Sequence, residues 1–466
     1  MKFYGRKEEK KKIEDFLNRE GLQAAILYGR RRVGKTALIQ ECLKSRKEKI
    51  LFFTSGQTAA SFNLNAFSKV LSNAFPELGK ARFDDFESAL DYVFQKAKEE
   101  KVILVLDEYC YLRGTMPEID DVLLRLIDRN QDAHLKLILC GSVVSVMKEV
   151  LLEENPLHGR FRLKMEVLPF DYFSSAAFFH SLSAEERFSY YSLFGGIPLY
   201  LSYVDPNKSF SENIQELLIE RNSVLEAEIK TTISMEYAKF ENASVLLSLL
   251  ASGKTKYYDL KETYYAITHR CGGFEYLLKQ LMEAGFIRKI FPINKKEDNK
   301  KSFYQFNDNL LQFYFLYLFN EQSRNYLPAE VVYERKIKEA LEKEYLPKKF
   351  EDVSREFLIR MNKKGRLREL FLDIGTYYFD DPKRHRNGQF DVVTLDDKGY
   401  VFYECKYTKD KIGLSVAKEE EEQVQALGLC GARLGFLSRN GFDNEIKEKD
   451  YVLYELKDYY DESLED

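Results

Sequence analysis

The sequence predicts a multidomain α/β protein. Three observations carry that prediction. Short apolar strands alternate with amphipathic helices through the first half of the chain. The middle shows helical stripes followed by a hairpin pattern. The last third changes to three strands in succession, then a helix and further strands. A length of 466 residues is about three domains' worth.

Apolar residues make up 45% of the chain, enough for ordinary cores, and a net charge of −4 means that nucleic acid could be bound only through local patches. Cys42, Cys110, Cys140, Cys271, Cys405 and Cys430 neither cluster nor form a C-x-x-C pair, which favours reduced thiols in a cytoplasmic protein. His134, His158, His180, His269 and His385 are equally scattered, so a histidine-built metal site is not expected. The start, "MKFYGRKEEKKK", lacks the apolar core of a signal peptide. The run "LLQFYFLYLF" (310–319) is too short to span a bilayer and reads as a buried helix, so no membrane association is expected.

The first element to justify is "AAILYGRRRVGKTALIQECL". Ala24 to Tyr28 is an apolar strand, Gly29 to Thr36 fits G-x-x-x-x-G-K-[ST], and an amphipathic helix follows. That is the setting of a phosphate-binding loop, whose backbone N–H groups and helix N-terminus take phosphate oxygens. Gly29, Val33, Gly34 and Ala37 belong to this cradle; Lys35 would reach the β- and γ-phosphates, and the Thr36 hydroxyl would sit on Mg²⁺. Arg30, Arg31 and Arg32 fill the variable positions, as anion-steering groups or solvated loop charges.

"KVILVLDEY" (101–109) is a buried strand ending in two carboxylates. Asp107 has the position of a magnesium acid, and Glu108 that of the group polarising an attacking water. "LKLILCGSVVSVM" (135–147) leaves Ser142 at a strand end, as a γ-phosphate sensor or a helix cap. "LHGRFRL" offers Arg160 and Arg162; Arg160 is the candidate arginine finger, in cis or in trans, or a surface residue.

"FYGRKEEKKKIEDFL", "GRRRVGKTAL", "LVLDEYCYL", "CGSVVSVM", "LHGRFR" and "FGGIPLYL" occur in that order. Together they resemble the archaeal-type P-loop ATPases, a branch of the signal-transduction ATPases within the AAA+-like group, over about residues 1–235. The resemblance implies ATP with Mg²⁺, a helical lid, Gly5 and Arg6 beside the base, and Pro198 packed on it from the lid.

In the middle, "SVLLSLLASG" (244–253) reads as a helix stopped by Gly253. "GFEYLLKQLMEAGFI" sets Phe274, Leu277, Leu278, Leu281 and Met282 on one helical stripe. "FIRKIFPI", a lysine-rich tip and "FYQF" follow as a hairpin, completing a winged-helix order. The tip, with Lys295, Lys296, Lys300 and Lys301 against Glu297 and Asp298, is either a DNA-backbone contact or a hairpin that packs on the protein. Lys279 stands nearly alone on the outer face of the preceding helix, so DNA contact would be mostly non-specific.

The C-terminal strands are "RELFLDIGTYYF", "QFDVVTLDD" and "YVFYECKY". The turn "DDKG" sets Asp391 opposite Glu404, and Gln389 opposite Lys406. Facing carboxylates repel unless a cation lies between them, and Mg²⁺ or Mn²⁺ does this well. Lys406 on the same face would then assist phosphodiester hydrolysis. Asp391 with Glu-Cys-Lys at 404–406 resembles the P-D…(D/E)-x-K nuclease superfamily, although Phe390 stands where its proline is usual. That likeness implies a restriction-endonuclease-like domain and a further acid on the first helix, Glu351 by preference and Glu356 second.

The expected layout is a P-loop core (1–165), lid (166–235), winged helix (236–325) and nuclease-like domain (326–466). The expected function is an ATPase that gates a metal-dependent nuclease on DNA, in defence or mobile-element biology, with homo-oligomers formed through nucleotide-dependent contacts. The alternative is a non-cleaving signalling switch whose C-terminal domain binds nucleic acid or a protein. A transport or remodelling ATPase would gain nothing from the C-terminal site.

Overall fold

A computed structural model describes residues 3–79, 82–236, 240–269, 272–296, 298–381 and 386–465; Cys271, Glu297 and His385 lie outside them. The chain divides into two compact units, Met1–Pro169 and Phe170–Glu465.

The first unit is built on β1 (Gln23–Tyr28), β2 (Lys49–Thr54), β3 (Val102–Asp107), β4 (Leu135–Gly141) and β5 (Phe161–Glu166). All are parallel, in the order β2-β3-β4-β1-β5. Their near-continuous apolar runs follow from burial on both faces. Leu104 and Leu106 of β3 serve one core, and Ile103 and Val105 serve the other. Because the strands are parallel, the segments after β1, β3 and β4 leave from one edge of the sheet.

In the second unit the Ala184–Phe194 helix opens with a reciprocal Ser183–Glu186 capping box. The Asn309–Tyr317 helix buries Leu310, Leu311, Phe313, Tyr314 and Phe315, as the run at 310–319 predicts. Between these lie the helices Phe240–Ala251, Tyr257–Thr268 and Phe274–Glu283, then the hairpin β6 (Ile287–Ile290) and β7 (Phe303–Phe306). Phe274, Leu277, Leu278 and Leu281 form the buried stripe, and Met282 is partly buried beside it.

The C-terminal sheet has the order β12-β11-β10-β9-β8, from β8 (Asp373–Asp381), β9 (Arg386–Asp396), β10 (Gly399–Lys406), β11 (Arg433–Ser438) and β12 (Val452–Glu455). β8, β9 and β10 are antiparallel neighbours; β11 and β12 continue in parallel. The Leu346–Lys363 helix contributes Phe350, Val353 and Phe357 to the core that also takes Val392, Val401 and Tyr403. The Leu414–Gln425 helix contributes Ala417 and Val424 to another core, with Val393 and Phe402. The first strand begins at Asp373, not at the predicted Arg368. Leu370 and Leu372 ahead of it are exposed, so that apolar run never enters the sheet.

The hairpin tip is a packing element. Ile293 donates its N–H to Thr376 O (2.6 Å), and Asn294 exchanges two hydrogen bonds with the backbone of Tyr378 (2.7 and 3.1 Å). The Ile293 side chain joins the core of Tyr377, Val393 and Phe402. The tip thus covers part of edge strand β8, which otherwise presents unpaired backbone groups.

Candidate functional site

Gly29 leaves β1 with φ 152°, and a Cβ there would lie 2.2 Å from Val167 O, so the loop begins with glycine for want of space. Gly34, in the left-handed region at φ 93°, starts the Lys35–Leu43 helix. Lys35 is buried and donates to Gly29 O (2.8 Å) and Arg30 O (3.0 Å), folding its ammonium over the loop. Thr36 Oγ1 donates to Asp107 Oδ2 (3.0 Å), which brings together the two residues expected on Mg²⁺. Burial raises the Asp107 carboxyl, and the neighbouring Glu108 charge adds to it. Such a carboxylate gains from a cation.

Glu108 has a left-handed backbone (φ 51°), which is uncommon for a residue with a Cβ and found at functional sites. Ser142 Oγ donates to Glu108 Oε2 (2.7 Å). The cap alternative for Ser142 is therefore set aside: its hydroxyl is spent on Glu108. Arg6, also left-handed, donates to Val33 O (2.9 Å) and Leu168 O (2.7 Å), bracing the loop from behind. Arg31 is half-buried, whereas Arg32 and Ala37 are exposed. Pro198 opens the Pro198–Tyr203 helix in the second unit.

Arg160 requires a correction. It precedes β5, whose Phe161 pairs with Ala24 at the entry end of β1, while the phosphate loop leaves the far end after Tyr28. Four residues of strand, about 13 Å, separate the two levels. Arg160 instead pairs with Asp128 at 3.0 Å on the surface. It is no finger for its own chain's nucleotide, because parallel strands put their entry ends on the edge opposite the loop.

The C-terminal residues meet in a cavity of about 140 Å³ lined by Glu351, Asp391, Glu404, Glu420, Gln389 and Gln423, among others. The β9–β10 ladder runs from Gly399↔Asp396 to Tyr403↔Val392, and the next step sets Asp391 opposite Glu404. Against β8 the same strand bulges: Asp391 and Val392 together oppose Thr376. A bulge re-aims side chains locally, and this one falls on Asp391. Gln389 donates to Asp391 Oδ1 (2.8 Å). Lys406 Nζ lies 2.5 Å from Glu404 Oε1. Burial works against the Lys406 ammonium, but Glu404 outweighs it and raises its pKa.

The helix acid is resolved by position. Glu351 lines the cavity, and burial, then Asp391 and Asp352, push its carboxyl up to about 8. Glu356 faces elsewhere: it accepts from Tyr191 OH (2.9 Å) and Tyr172 N (3.2 Å). Glu420 was missed by the strand-centred reading. Its signal was in the sequence: it takes the inward position between Ala417 and Val424 on the helical stripe. Among the described residues no three His, Cys, Asp or Glu side chains converge on one point as a ready metal cage.

Residues 3–204 match a family described as an ATPase domain predominantly from Archaea, and residues 313–424 match a family described as Archaea bacterial proteins of unknown function. An uncharacterized protein of Methanocaldococcus jannaschii, MJECL04, is 28% identical over 98% of this chain and 100% of its own length. Among solved structures, the Walker-type ATPase PABY2304 of Pyrococcus abyssi aligns at TM-score 0.50 and 19% identity, covering 67% of this chain and 96% of that one. The ORC2 protein of Aeropyrum pernix aligns at TM-score 0.48 and 14% identity, covering 68% and 93%. Residues 3–204 are thus an ATPase domain of the archaeal type, followed in the same chain by a C-terminal sheet domain.

Proposed function

We propose that this chain couples ATP binding and hydrolysis to metal-dependent cleavage of DNA phosphodiesters in its C-terminal domain. The cavity carries this reading. It gathers Glu351, Asp391 and Glu404 from three separate elements, with Lys406 against Glu404. These hard oxygen donors suit Mg²⁺ or Mn²⁺, which commonly binds one or two carboxylates and keeps its remaining waters. When bound, the ion supplies a Lewis acid and an activated water. Asp391 and Glu404 would hold it, with Glu351 flanking. Lys406 would stabilise charge on the phosphate or orient the water. In the ATPase domain Lys35 would bind the phosphates, Thr36 and Asp107 would hold Mg²⁺, and Glu108 would orient the attacking water once Ser142 releases it.

A path for coupling lies within the second unit. The Phe188 ring of the Ala184–Phe194 helix lies 5.7 Å from that of Phe350 and 4.9 Å from that of Tyr407. Those two residues adjoin Glu351 and Lys406 in sequence. Tyr191 of the same helix holds Glu356 on the Leu346–Lys363 helix. A shift of this lid helix with nucleotide state would move two of the elements that carry the acidic site.

The test is the purified full chain with plasmid, linear and branched DNA, with Mg²⁺ or Mn²⁺, with and without ATP. Metal-dependent cleavage that changes with ATP and disappears in Asp391→Asn supports the proposal. Metal binding with no cleavage under any nucleotide condition makes the chain a non-cleaving signalling switch.

A further inference from the structure

Glu420 is 8% exposed, yet it has no hydrogen bond or ion pair among the described residues. Its helix dictates this position. Ala417 (0%) and Val424 (5%) are core residues on the same stripe, so Glu420 is turned inward one turn from each. There it borders the cavity that Glu351, Asp391 and Glu404 share. An unpaired buried carboxylate is costly, and an apolar residue would suit the stripe better. Something that the cavity binds must therefore account for it.

We infer that Glu420 and Glu404 form a second divalent-cation position in this cavity, next to the position proposed for Asp391 and Glu404. The inference rests on the nuclease-like reading and extends it to a residue outside the strand motif. The absence of a three-ligand cage agrees with it, since the acids are strung along the cavity and do not surround one point. Charge decides between one cation and two. Four carboxylates against the single Lys406 ammonium leave a formal charge of −3 when all are ionised. One divalent cation leaves −1, which repels a phosphodiester. Two leave +1, which a phosphodiester neutralises. Without cations the acids are poorly accommodated: burial, then the Glu404 charge, raise the Glu420 carboxyl to about 7.

The experiment is calorimetric titration of Mn²⁺ into the nucleotide-free full chain, for wild type, Glu420→Gln and Asp391→Asn. Glutamine matches the shape of the neutral acid, and near-UV circular dichroism checks the fold. Any weak site at the phosphate loop is common to all three proteins and cancels. The expected result is that Glu420→Gln loses one Mn²⁺ equivalent, or binds it at least about tenfold more weakly, and keeps the other. Asp391→Asn should lose the equivalent that Glu420→Gln keeps. If Glu420→Gln binds Mn²⁺ like wild type while Asp391→Asn does not, the second position is overturned and the first stands. If both variants bind like wild type, the cavity is no metal site, and both readings fall.

Discussion

Glu108 combines a left-handed backbone with a carboxylate held by Ser142, and this juxtaposition defines its testable role. Glu108→Gln should bind ATP like wild type and hydrolyse it about 10²–10³-fold more slowly, as expected for loss of a group acting on the attacking water; single-turnover phosphate release measures it. Lys35→Ala should lose ATP affinity in an equilibrium binding assay, because the alanine leaves no ammonium for the phosphates. Unchanged affinity would refute the phosphate-loop role. Glu356 offers a pH test. Burial, then Asp171, raise its carboxyl to about 7 in the folded protein, whereas Tyr191 and the Tyr172 N–H pull it down. A raised folded pKa means that the folded state binds more protons than the unfolded state between about pH 4.5 and 7. The contribution is therefore most favourable at low pH and is lost as pH rises through that window. Glu356→Gln should match wild type near pH 4 and become more stable above pH 7, by at most about 3 kcal/mol. Urea unfolding across pH would show a constant difference if the group were not strained.

At the scale of elements, the hairpin tip divides into two halves. Lys301 donates to Tyr378 OH at 2.9 Å with its ammonium 4.1 Å from the ring centre, and Lys296 pairs with Asp373. Both bind the tip to β8. Lys295 and Lys300 are exposed. Lys301→Glu should lower stability by about 1–2 kcal/mol through the lost cation–ring and hydrogen-bond contacts, as measured by thermal unfolding. Reversing Lys295 and Lys300 should leave stability within about 0.5 kcal/mol. If the tip contacts DNA, that double reversal should flatten the salt dependence of DNA binding by up to about 0.9 per phosphate lost. An unchanged slope would reduce the tip to packing alone. The outer face of the Phe274–Glu283 helix points the same way, since Lys279 pairs with Glu283 and Glu275 with Lys261.

For the whole molecule, the issue is whether one helix links nucleotide state to the acidic cavity. Phe188→Leu keeps most of the apolar volume but shortens the reach to Phe350 and Tyr407. It should cost about 1–2 kcal/mol, between a conservative swap and a full truncation. Its more telling effect is on coupling: ATP hydrolysis and Mn²⁺ affinity should each persist, while the change in DNA cleavage on adding ATP disappears. If the ATP response survives intact, the link runs elsewhere. No helix among the described residues is long and apolar enough to cross a membrane.

The phosphate loop, Asp107, Glu108 and the pairing of Asp391 with Glu404 were legible in the sequence because each depends on local spacing. A strand-loop-helix order places Lys35 and Thr36, and a tight turn propagates its register along both strands. Tertiary structure decided what local spacing leaves open. It placed Arg160 at the entry edge of the sheet, since strand order and direction depend on crossover connections. It chose Glu351 over Glu356, two acids on one helix that face different neighbours. It laid the lysine-rich tip on β8, a contact between segments about eighty residues apart. Glu420 stood in plain view as one of four consecutive glutamates. Only the packing of its helix on Val393 and Phe402 singles it out, because burial belongs to the assembled core and not to the sequence of one element.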